Sequence, residues 1–158
     1  MNEIVVKKLG DILALSEVGN ETFEKAKDII EKEMESGTLE DFIEKSTIHA
    51  EEIRRIAGKN GKESDIEAMR GRASGKLRQM REIYLGEKWD NVQEVFEWVS
   101  IFAGISYGIW SVVKGIAEST NDTDLLTLSE EATTFYHNML DTVAGELESS
   151  GEASQEVI

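Results

Sequence analysis

The chain of 158 residues carries 32 acidic against 17 basic residues, a formal net charge of -15, and has neither cysteine nor proline. That length suits one domain whose core is self-supporting, and the missing cysteine excludes thiol nucleophiles, zinc fingers, iron–sulfur clusters and disulfide scaffolds. The missing proline suits a chain spent mostly inside helices, where proline removes a hydrogen bond and clashes.

Apolar residues recur at three- and four-residue spacing almost throughout, and strand-like alternation is hard to find. The expected class is all-α, a single-domain helical bundle of five or six helices around a central apolar helix. Met1 to Val6, followed by Lys7 and Lys8, reverses the charge order of a signal peptide, so a cytoplasmic location is expected.

Ile4, Val5, Val6, Leu9, Ile12, Leu13 and Leu15 predict a first helix near 3–17, stopped at Gly19-Asn20, since both residues tolerate the left-handed conformation of a helix end. Phe23, Ala26, Ile30 and Met34 form the next stripe, up to Gly37. Thr38 with Asp41 resembles a capping box for a third helix over 38–57, with Phe42, His49, Ile53 and Ile56 on one face. Ser64-Asp65-Ile66-Glu67 reads as a second capping box, opening a fourth helix that ends or kinks at Gly86.

The segment 90–117 is the most apolar. Its charge-free run, Trp98 to Val113, spans 16 residues interrupted by glycine and serine, short of the roughly 20 that cross a bilayer. A helix apolar around nearly its whole circumference is expected to be buried in the bundle rather than in a membrane. Ser100, Gly104, Gly108, Ser111 and Gly115 keep to one narrow strip of it. Three readings stand for that strip: tight helix packing within one chain, a self-association face, or a slot for an apolar ligand. Gly71 and Gly75, with Ala68 and Ser74 nearby, form a smaller strip on the fourth helix. Leu125, Leu128, Ala132, Phe135, Met139, Val143 and Leu147 give a last helix from about Thr123. The bundle domain is expected over 1–148, and 149–158, rich in Ser, Glu and Gly, as a disordered acidic tail. Short apolar C-termini such as Val157-Ile158 are common, so a peptide-recognition role there is not expected.

Charge is segregated. Residues 54–88 hold ten of the 17 basic residues against five acids, so the window is at +5 and the rest of the chain at -20. By helical register Arg70, Arg78 and Arg81 line one flank of the fourth helix's apolar stripe, and Arg72 and Lys76 the other. The band has three readings: pairing with neighbouring acidic helices, docking an acidic partner, or gripping phosphate. The overall acidity and the lack of aromatic residues in the band before Tyr84 and Trp89 weigh against nucleic acid.

No catalytic set is expected. His49 reads as a core histidine and His137 as a surface partner of Asp141, and neither has the Glu-x-x-His spacing of di-iron bundles. Glu21-x-x-Glu24 and Glu87-x-x-Asp90 match magnesium-binding pairs only weakly, and no phosphate loop or nucleophile elbow is present. No cofactor or metal is expected. The composition therefore points to a non-enzymatic protein-interaction module, an adaptor, regulator or small subunit, with a protein partner that includes a second copy of the chain among the candidates. The alternatives are a nucleic-acid-binding subunit using 54–88, or an acidic mimic that inhibits a nucleic-acid-binding protein.

Overall fold

The computed structural model describes residues 1–155, which form six helices and no strand. Val157-Ile158 lies outside the described residues. The helices are α1 (Glu3–Lys25), α2 (Lys27–Ile30), α3 (Thr38–Lys59), α4 (Glu63–Leu85), α5 (Val92–Thr120) and α6 (Thr123–Gln155). They make one all-α bundle with the apolar α5 in its middle, packed along α6 and across α1, while α1 also packs on α4 and α3. Trp110, Tyr136, Phe23, Leu9 and Ile53 are among the side chains fully enclosed in the single core.

Helix ends follow local signals where nothing tertiary competes. Gly86 closes α4 at φ 66°, Asn121 closes α5 in the left-handed region, and the Asp122 carboxylate accepts from the Leu125 amide at 3.1 Å to open α6.

Elsewhere packing overrides them. The first helix does not stop at Gly19-Asn20. Gly19 lies under the Phe102 ring, and Asn20 accepts from the Ser46 hydroxyl at 2.8 Å, so both serve contacts inside a helix that runs on to Lys25. Neither capping box forms. Gly37 at φ 88° is the cap of α3, which makes Thr38 its first helical residue. The tight exit from α3, with the Lys62 amide donating to Ala57 O at 2.9 Å, places the start of α4 ahead of Ser64. Glu67 is instead taken by Arg54 and Arg70.

Residues 149–155 continue α6 to Gln155, with the side chains from 151 onward exposed. No proline breaks the helix there, and its packed half supplies the nucleus from which it propagates.

The apolar α5 is also less enclosed than expected. Ten of its 29 residues are buried, against 13 of 23 in α1. By length and composition α5 is the one described helix apolar enough to cross a membrane, and about a third of its most apolar window is buried in the bundle.

Candidate interaction surfaces

The basic band is mostly spent within the chain. Glu17 and Glu21, one turn apart on α1, face Arg70, Arg78 and Arg81 on α4. Arg70 pairs with Glu17 and, at 2.5 Å, with Glu67; Arg78 Nη2 lies 2.6 Å from a carboxylate oxygen of each α1 glutamate. Ser74 donates to Glu17 at 2.9 Å. Burial alone would raise the pKa of Glu17, but hydrogen bonds from Ser74, Arg70 and Arg78 outweigh it and hold the carboxyl below its ordinary value. Arg78, first by its hydrogen bond, does the same to Glu21 and is itself pushed higher.

Arg81 is buried. It donates to Thr22 Oγ1 at 3.3 Å and Val18 O at 3.4 Å, and its guanidinium lies 5.0 Å from the centre of the Trp89 ring. Arg54, Arg55, Lys59 and Lys62 also pair with acids, so seven of the ten band residues have carboxylate partners. Arg72 and Lys76, on the other flank of α4, are exposed and have no carboxylate within ion-pair distance among the described residues.

Two substitutions separate structural from exposed arginines. Arg81→Gln is expected to lower the unfolding free energy by about 1–2 kcal/mol, because it removes charged hydrogen bonds from a buried position. Arg78→Gln, whose side chain is 39% exposed, is expected to cost about 0–1 kcal/mol. Urea denaturation of both variants measures the difference.

The small-residue strip faces away from the core. A methyl group built on Gly104, Gly108 or Gly115 meets nothing within 4 Å, and the same holds at Gly71 and Gly75. Ser100 and Ser111 turn their hydroxyls back to the Phe96 and Tyr107 carbonyls. The expectation of tight packing within one chain is therefore corrected for this strip. The close approaches are made by Gly10 and Gly19 on α1, since α1 is the helix wedged between others.

Beside the strip, α5 and α4 diverge over α1 and leave a groove of about 280 Å³, lined by Leu15, Ala73, Leu77, Met80, Ile105 and Ile109, with Lys76 and Asp11 among its polar residues. Five of the seven exposed large hydrophobic side chains, Met80, Ile83, Tyr84, Tyr107 and Val112, stand on α4 and α5. The charge-free face of α5 thus adjoins an apolar groove whose charged residues are Lys76 and Asp11.

A second groove, of about 1150 Å³, lies between α3 and α6 and is closed at one end by the turn at 35–37. Phe42 and Phe135 lie at its base with ring centres 6.0 Å apart, and Ile48 is half-exposed on its wall. His49 is buried there, edge-on to Phe135 and Trp110, with no hydrogen-bond partner at Nδ1. Burial, and then the nearby Lys45 charge, push its pKa down to about 4, so the imidazole is neutral at physiological pH. The apolar face of α3 placed His49 in the core from the sequence. The groove itself has no local signal, because it arises from how far apart α3 and α6 sit.

His137 lies 3.5 Å from Asp141 on the surface, as their spacing predicts. No three His, Asp or Glu side chains come together as a metal site among the described residues; Glu21 is engaged by arginines instead. Comparison with known proteins finds no protein-family model, no curated protein and no solved structure that matches the chain.

Proposed function

We propose that the chain is a non-enzymatic protein-interaction module, an adaptor, regulator or small subunit, acting in the cytoplasm through the outer face of α5 and its groove with α4. The observation that carries this reading is the exposed glycine strip on a face with no charge from Trp98 to Val113, in a protein of net charge -15. Each helical glycine costs about 1 kcal/mol relative to alanine, and nothing in the fold approaches these.

The partner this face fits first is a second copy. Two such acidic chains repel unless they meet on neutral surface, and this is the longest neutral stretch they possess. A two-fold contact also needs a patch complementary to itself. Turned end for end about a point between Tyr107 and Gly108, the strip nearly maps onto itself: Ser100 takes the place of Gly115, and Gly104 that of Ser111. The resulting antiparallel α5 pair sets the helix dipoles in opposition. Nucleic acid has weaker support, because five of the band's six arginines, all but Arg72, are already paired with acids.

Light scattering on the wild type and Gly108→Leu tests the reading. The expected result is a wild-type dimer and a monomeric variant whose thermal midpoint is equal to or above that of the wild-type monomer, since the position is open and leucine is the better helix former. A wild type that stays monomeric at every concentration, or a variant that dimerises undiminished, overturns self-association. Quantitative recovery in the membrane fraction after a carbonate wash overturns the interaction module itself in favour of a membrane role for α5.

A further inference from the structure

We infer that the groove between α3 and α6 is a docking site for a basic amphipathic helix of a partner protein. It shares no residue with the α5 face, so the two proposals fail separately.

Size and shape come first. The α3 wall runs from Thr38 to His49 and the α6 wall from Glu130 to Thr142. At about 1.5 Å per residue that is roughly 17–20 Å, the length of a three-turn helix. A groove between two neighbouring helices is the usual seat for a third, whose apolar residues at i, i+3, i+4 and i+7 enter it.

The chemistry of the walls then selects the occupant. Phe42 and Phe135 at the base and Ile48 on the wall offer apolar contact. Glu35, Asp41, Glu130 and Glu131 also line the groove. Its one cation, Lys45, is held 3.2 Å from Asp41 and lies 5.8 Å from the Phe135 ring centre. An apolar stripe bordered by Lys or Arg satisfies base and walls together, while one bordered by acids meets like charge along the groove. His49, neutral and with Nδ1 unpartnered, adds no charge that would repel a basic helix.

The test uses three peptides of about twelve residues: a leucine-striped helix with lysine flanks, its twin with glutamate flanks, and a scrambled lysine peptide of the same composition. Titration calorimetry and amide shifts at Ile48 and Phe135 read binding to the whole chain. The lysine-flanked helix is expected to bind and shift those amides, and the other two to bind at least about tenfold more weakly. Ile48→Ser is expected to weaken the lysine-flanked helix about tenfold, as is the double variant Glu130→Gln, Glu131→Gln; all three changed positions are exposed, so the fold is retained and circular dichroism confirms it. Absence of binding, equal binding of the scrambled peptide, or undiminished binding to Ile48→Ser overturns the proposal.

Discussion

Gly10→Ala is expected to lower the unfolding free energy by about 1–3 kcal/mol, although alanine is the better helix former. The added methyl would meet Met69 Cβ, Ile66 O at 3.0 Å and Arg70 N at 3.1 Å. Two of those atoms are backbone and the third is fixed to it, so no side-chain rotation relieves the clash and α1 must move away from α4. That movement loosens the contacts of Glu17 and Glu21 with Arg70, Arg78 and Arg81, which depend on the same spacing. For a domain of this size the thermal midpoint should fall by about 2–4 °C per kcal/mol.

The control is Gly108→Ala, where nothing lies within 4 Å and the change should be neutral or stabilising in the monomer. Equal midpoints for the two alanine variants would show that α1 and α4 are not in close contact at Gly10.

The second large effect is a dependence of stability on pH set by His49. Its pKa in the folded chain is about 4, against an ordinary value of 6.5, because burial disfavours the imidazolium and Lys45 adds to the penalty. Between pH 6.5 and 4 the unfolded chain binds a proton at this position that the native chain does not. Stability therefore falls as pH drops through that window, by about 1.4 kcal/mol per unit at most and about 2–3 kcal/mol in all, after allowance for the groove's contact with solvent.

Glu17, Glu21 and Glu67 act in a lower window. Their folded pKa values are depressed, so the stability they contribute is present above about 4.5 and is lost as pH falls below it. His49→Leu separates the two. Urea denaturation at a series of pH values should show a slope between pH 6.5 and 4.5 in the wild type that is largely absent in the variant, with the steeper loss below about 4.5 common to both. Parallel curves would mean that His49 takes up a proton in the folded chain as readily as in the unfolded one.

Much of the architecture was legible in the sequence, because it depends on local chemistry and periodicity. The lack of proline and the three- and four-residue spacing of apolar residues determined an all-α bundle. Gly86, and the polar run through Asn121 and Asp122, placed the boundaries around α5, since a glycine or asparagine in the left-handed region and an aspartate cap act within one turn. The apolar face of α3 put His49 in the core, and spacing alone paired His137 with Asp141.

Only the tertiary structure decided what those residues meet. Gly19 and Asn20 look like a helix stop until Phe102, more than eighty residues on, fills the space over the glycine and Ser46 engages the asparagine. The sequence of Arg70, Arg78 and Arg81 leaves pairing, docking and phosphate binding all open, and only the fold brings Glu17 and Glu21 to them from a helix more than fifty residues earlier. Gly10 and Gly108 carry no local mark that tells a wedged helix from an open face. The α3/α6 groove exists only because two helices distant in sequence stand apart. A helix's own period fixes which residues share a face, but what covers that face is set by long-range packing, and the candidate surfaces depend on it.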